Sequence, residues 1–331
     1  MAEAQRDVAL VLPVRIGTAL LPATEAQAQA LRRQSAERPE MISRRDTLAR
    51  AAALAAVSLF NLPAVADEHQ AEFQRSVDEL EKRHGGRLGV AMRDTGTSIT
   101  LSHRGDERFA LCSTFKCLAA ALVLTRVDKG EEKLDRRIAY SKADLVPNSP
   151  ITEKHANPDG MTMAEICEAA ITVSDNTAGN LMLDSFGGPA GLTAYLRSLG
   201  DDITRLDRRE TELNEATPGD PRDTTTPLAM LELLQKLVLG DALSVASRDQ
   251  LTKWLLANKT GDKRLRAGLP GDWRVGDKTG LGEHNANNDV AVIWPPNRAP
   301  LIVTAYYIES QGSRDERDAI LADVGGLATK L

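Results

Sequence analysis

Ser113 and Lys116 stand three residues apart, directly ahead of an apolar run from Cys117 to Val127 that predicts a helix. At that spacing the two side chains share one helix face. A serine at the helix start also meets free backbone N–H groups and the positive end of the helix dipole, which favour developing negative charge. A lysine one turn on can take or stabilise the serine proton, which is how a weak hydroxyl becomes a nucleophile. Three more segments follow in order: Ser174, Asp175 and Asn176 after a predicted helix over 164–173; Glu210 to Asn214; and Lys278, Thr279 and Gly280. They supply a hydroxyl proton relay, a carboxylate that can activate water, and a cationic anchor. None is specific alone. A serine cap with a solvated lysine, a polar helix-to-helix turn and an acidic loop explain the first three as well.

Lys-Thr-Gly occurs twice, at 259–261 and at 278–280. The first copy follows a predicted helix over 247–258 and reads as its stop, with Gly261 near the C-cap. The second ends the alternating run Trp273 to Asp277 and therefore lies on a strand, where Lys278 and Thr279 can face a cavity. The second copy is the functional candidate.

In this order the segments resemble the signatures of the class A serine β-lactamases. The resemblance runs from about Glu68 to the C-terminus and is nearly continuous from Arg208 to Met230. It implies an acyl-enzyme on Ser113, with Lys116 and Ser174 moving protons and Glu210 activating the deacylating water that Asn214 helps to hold. Asn176 would hold the substrate side-chain carbonyl and Asp175 would brace its loop. Arg208 and Asp223 would close the loop that carries Glu210. Lys278, Thr279 and Gly280 would receive the substrate carboxylate, and the backbone N–H groups of Ser113 and Leu281 would form the oxyanion hole. The implied substrates are penicillins and cephalosporins, with no cofactor and no metal.

Some positions depart from common relatives. Thr211 replaces a frequent proline after Glu210, and the resemblance raises a cis bond there. Asn148 stands where an aromatic often flanks the cleft. Asn287 stands where many members carry an arginine for the substrate carboxylate; Arg264 matches an alternative source, with Arg266 and Arg274 as rivals. Asp289 resembles the acidic residue of one branch. Ala120 removes the partner that Cys167 has in some members, and Gly282 removes one for Cys112; Cys117 leaves another pairing open. A penicillin-binding D,D-peptidase and a non-hydrolytic β-lactam sensor share part of the pattern, but Glu210 and Asn214 disfavour both.

The elements that must carry these residues read as α+β. Helical spacing of Phe73, Val77 and Leu80 predicts a first helix over 68–83, stopped by Gly85 and Gly86. A hairpin is predicted over 88–102, turning at Asp94 to Gly96. The chain then reads as mostly helical from Ser113 to about Gly240. Strand-like runs return at 273–278, 289–294 and 301–308, and a closing helix is predicted over 315–331. Strands at both ends with helices between imply an antiparallel sheet flanked by N- and C-terminal helices, beside an all-α part. The resemblance implies the same αβα fold with five strands and the active site at the interface. The α/β part would span about 67–110 and 259–331, and the α part about 111–258.

Net charge is −6, which argues against a nucleic-acid binder. Three cysteines without metal-type spacing argue against a zinc site or a disulfide framework. The expected partner is a small-molecule β-lactam, met as a monomer without stable membrane association. Residues 41–66 read as an export signal: Ser43, Arg44 and Arg45, an apolar run from Ala51 to Leu62, then Ala64, Val65 and Ala66 at a cleavage site. The arginine pair resembles a twin-arginine signal, pointing to a periplasmic or secreted enzyme beginning at Asp67. Residues 1–40 are expected to be an upstream extension or leader, with Met41 as the true start.

Overall fold

Helix α1 spans 68–84 and buries Phe73, Val77 and Leu80, the predicted stripe. It stops where Gly85 and Gly86 take positive φ, 69° and 75°, a conformation that costs glycine little. The computed structural model describes residues 68–331, so the export-signal reading lies outside the described residues.

Strands β1 (Arg87–Asp94), β2 (Thr100–His103), β3 (Arg274–Leu281), β4 (Asn287–Trp294) and β5 (Leu301–Ile308) form one five-stranded sheet in the order β2-β1-β5-β4-β3. All four ladders are antiparallel. Side chains alternate between two cores, as the period of 2 requires. Leu88, Val90 and Met92 of β1 and Val303, Ala305 and Tyr307 of β5 join the core under α1 and the closing helix α8 (Arg314–Leu327). Ala91 of β1 and Ile302 and Tyr306 of β5 face the helical part instead. The sheet interior is therefore apolar on both faces, and β5 reads as a continuous apolar run.

The helical part contains α2 (Phe115–Asp128), α3 (Met163–Thr172), α4 (Asn176–Ser185), α5 (Gly188–Ser198), α6 (Pro227–Leu234) and α7 (Val245–Leu256). Its α2 is a core helix, buried without a break from Phe115 to Leu124. Most starts are capped by side chains: Thr162 and Glu165 form a capping box on α3, Asp175 caps α4, Thr226 caps α6 and Ser244 caps α7.

One expectation fails at the first Lys-Thr-Gly. Helix α7 ends at Leu256, capped at Ala257, before the motif begins. Gly261 serves close packing instead: a Cβ there would stand 1.8 Å from Asp277 Oδ2. That approach lays the first motif against the second, and Thr260 Oγ1 meets Thr279 Oγ1 at 2.5 Å. Sequence spacing carries no signal for a contact between this loop and β3, which only the tertiary fold brings together.

Candidate active site

Ser113 lies in a tight turn, Cys112–Thr114, immediately before α2. Cys112 has φ 45°, outside the usual range for a non-glycine residue, and this bend presents Ser113 ahead of the helix. Lys116 follows on the first turn, fully buried. Its Nζ lies 2.9 Å from Ser113 Oγ, 2.7 Å from Asn176 Oδ1, 2.9 Å from Ser174 O and 2.9 Å from Glu210 Oε1. An ammonium has three hydrogens, so four oxygens compete for them. Burial pulls the Lys116 pKa down, and the Glu210 carboxylate acts against that.

Ser113 Oγ donates to Glu210 Oε1 at 3.1 Å, and Asn214 Nδ2 donates to Glu210 Oε2 at 2.5 Å. Asn180 holds the same residue by its backbone, giving a bond to Glu210 O at 3.0 Å and accepting one from Glu210 N at 3.0 Å. The Glu210–Thr211 peptide is cis. Asp223 ties down the loop: it accepts from Asp207 N, Arg208 N and Arg208 Nε at 2.7, 2.8 and 2.5 Å. Glu215 also pairs with Arg208.

Ser174 has φ 58° and sits between α3 and α4. Its Oγ is 3.1 Å from Lys278 Nζ and 3.4 Å from Lys116 Nζ. Asp175 braces the neighbouring loop, accepting from Ile151 N, Thr152 N and Thr152 Oγ1 at 3.0, 2.9 and 2.8 Å.

Lys278 and Thr279 are adjacent on β3 and point to opposite faces of the sheet. Lys278 is fully buried toward the helical part, and its pKa falls to about 7 because it is desolvated and faces Lys116. Thr279 lines a cleft of about 330 Å³ with Ser113, Ser174, Asn176, Asn214 and Leu281. Asn148, Thr260 and Arg264 are on its walls too. Gly280 lies where a Cβ would stand 3.0 Å from Leu111 O, so a bare backbone keeps β3 close to the nucleophile turn.

Arg264 is 2% exposed and held on three sides. Its Nε donates to Asp318 Oδ1 at 2.8 Å, and Nη1 donates to Gly280 O and Asn288 O at 2.9 and 2.7 Å. Asn287 donates to the same Asp318 oxygen at 3.0 Å, bracing that pair. The rivals point elsewhere: Arg266 bonds Asp277, and Arg274 stacks 5.6 Å from the Trp294 ring. Sequence reading missed Thr260, Asp318 and Arg314, which reach the cleft or its arginine only through tertiary contacts.

Cys112, Cys117 and Cys167 are all free and buried. Burial pushes the Cys112 and Cys117 thiols up to about 12 and makes them inert. Among the described residues, Asp78, Glu81 and His103 bring ligand-type atoms within 4.8 Å of one another. The carboxylates approach different ring nitrogens, Asp78 at Nδ1 and Glu81 at Nε2, and Arg104 already pairs with Glu81. The group is also on α1 and β2, at the sheet edge opposite β3.

A buried serine–lysine–glutamate cluster at the seam of a helical part and an antiparallel sheet defines a serine hydrolase of acyl-transfer type. The profile of the Beta-lactamase enzyme family matches residues 72–331. The chain is 51% identical over 257 residues to β-lactamase OXY-1 of Klebsiella oxytoca, covering 78% of this chain and 88% of that one. It is 52% identical over 245 residues to β-lactamase AST-1 of Nocardia asteroides, covering 74% and 79%. An ancestral (GNCA) class A β-lactamase superposes with a TM-score of 0.77 at 67% identity, covering 78% of this chain and 98% of that one. The chain belongs to the class A β-lactamases and hydrolyses β-lactams.

Proposed function

We propose that the chain hydrolyses penicillins and cephalosporins through a Ser113 acyl-enzyme that Glu210 deacylates. One observation carries this: Ser113 Oγ lies within hydrogen-bond reach of both Lys116 Nζ, at 2.9 Å, and Glu210 Oε1, at 3.1 Å. In the resting site the serine proton points at the carboxylate, and Lys116 donates to the attacking oxygen. Lys116 then passes protons among Ser113, Glu210 and Ser174. The Ser174 hydroxyl has an amine on each side, so its own hydrogen is free to reach the ring nitrogen that leaves. Backbone N–H groups of Ser113 and Leu281 would stabilise the oxyanion. Asn176 would hold the acylamino carbonyl. After ring opening, Glu210 Oε1 no longer faces a serine proton and can take one from water bound with Asn214.

The test is covalent. Protein mixed with a penicillin gains one ligand mass on Ser113, read by peptide mass spectrometry, and Ser113→Ala gains none. Turnover by the alanine variant sinks the mechanism.

Thr279, Lys278, Gly280 and Arg264 form the carboxylate end in this reading. Arg264 gives the planar, permanently charged donor set that Asn287 cannot. Arg264→Ala is expected to lower kcat/KM by about ten- to a hundred-fold, the loss of a hydrogen bond to a charged group at about 1.5–3 kcal/mol. Steady-state kinetics on a penicillin, with the melting temperature as a control, checks it. Unchanged kinetics with a large loss in Arg266→Ala moves the role to that rival.

We also propose export by the twin-arginine route, with residues 41–66 as signal, 1–40 as upstream extension or leader, and a monomeric catalytic domain from Asp67. The support is the sequence pattern of Arg44, Arg45 and Ala64 to Ala66. The catalytic domain would divide into an α/β part near 67–110 and 259–331 and an α part near 111–258.

A further inference from the structure

Arg314 opens α8 on the far wall of the cleft, lining it together with Arg264 and Thr279. Its side chain is 63% exposed, and its ion pair to Asp318 Oδ2 is 4.0 Å long, at the edge of contact. Arg264 takes the other oxygen of the same carboxylate at 2.8 Å and is only 3% exposed. Two guanidinium groups thus share one acid at the end of the cleft where Arg264 and Thr279 would take the ring carboxylate. Asp318 neutralises one charge and leaves the other. The remaining positive charge resides mostly on Arg314, whose contact is the longer and wetter of the two. The base beneath it is fixed: Ser313 and Glu316 form a capping box on the first turn of α8. The neighbouring Lys263 pairs with Asp315 at 2.9 Å, out in solvent, and adds no net charge.

A monoanionic β-lactam needs only Arg264 and Thr279 there. Arg314 then has nothing to neutralise it beyond a long contact. The chain carries −6 overall, so a second negative charge on the substrate is disfavoured everywhere except where a local cation meets it.

We propose that Arg314 is a specificity-determining residue that reads a second negative charge on the fused-ring half of the substrate. The class it favours is cephalosporins with an anionic C3 substituent, because that substituent projects beside the ring carboxylate. This rests on the carboxylate end assigned above to Arg264 and Thr279.

The experiment compares two cephalosporins that share one acylamino side chain, one with a neutral C3 group and one with a carboxylate or sulfonate at C3. Wild type, Arg314→Ala, Arg314→Lys and Arg314→Glu are assayed at low and high salt. Arg314→Ala is expected to lose about two- to five-fold in kcat/KM on the dianion, through KM, with the monoanion nearly unchanged. Arg314→Glu loses more, Arg314→Lys restores most of the activity, and high salt erases the difference. Equal loss on both substrates overturns the proposal, since Arg314 would then act only through Asp318 and Arg264. No loss on either also overturns it. Failure of wild type to turn over even the monoanion would instead sink the carboxylate-end reading on which the proposal rests.

Discussion

Glu210→Ala is expected to take up one penicillin on Ser113 and then hold it, with release slowed by about 10²–10⁴-fold, the range for a positioned general base. Removing the side chain leaves Lys116 with Ser113 Oγ, Ser174 O and Asn176 Oδ1 as acceptors at 2.9, 2.9 and 2.7 Å, so the lysine stays solvated by the protein. Acylation therefore persists, though more slowly, while water bound near Asn214 loses its base. Intact mass against time after rapid mixing reads both steps. A variant that releases ligand as fast as wild type rules out Glu210 as the deacylating base. A wild type that itself stays acylated for hours favours the sensor reading over hydrolysis by this site.

Asp223→Ala is expected to cost about 3–5 kcal/mol of stability, the range for breaking one half of a buried ion pair. The Asp223 side chain is 1% exposed and Arg208 only 16% exposed. Its removal leaves the Arg208 guanidinium with the half-exposed Glu215 alone and strands two backbone N–H groups, on Asp207 and Arg208. The damage reaches chemistry because the same loop carries Glu210 two residues after Arg208. Denaturant unfolding measures the stability loss. Slowed deacylation with acylation largely retained measures the displacement of Glu210. Asp223→Asn separates charge from shape, since the amide keeps one acceptor for the backbone but loses the charge that faces Arg208. Equal stability of Asp223→Ala and wild type contradicts the assignment of this carboxylate as the loop anchor.

The depressed pKa of Lys116 and Lys278 has one shared origin. Both amines are fully buried, on α2 and on β3, and desolvation lowers each; the Lys116 charge adds to the effect on Lys278. Their pairing across the seam couples the helical part to the sheet through Ser174, whose hydroxyl touches both.

The sequence by itself determined the elements and their chemical cargo. The apolar stripe Phe73, Val77 and Leu80 specified α1, and unbroken burial from Phe115 to Leu124 matches the apolar run that predicted α2. The apolar run over 301–308 marked a strand, and it is β5. Ser113 with Lys116, Ser174 with Asn176, and Glu210 with Asn214 were each legible because their spacing is local. The tertiary structure alone decided what came between the segments. It placed Lys278 beneath the cleft and Thr279 in its wall, since neighbouring residues on a strand must face opposite ways. It turned the first Lys-Thr-Gly from a helix stop into a partner of the second, through the close approach of Gly261 to Asp277. It chose Arg264 over Arg266 and Arg274 for the cleft wall by giving each a different acid or ring to meet. Contacts of this kind join residues tens of positions apart, and their energies depend on distances of a few ångströms that no local pattern records.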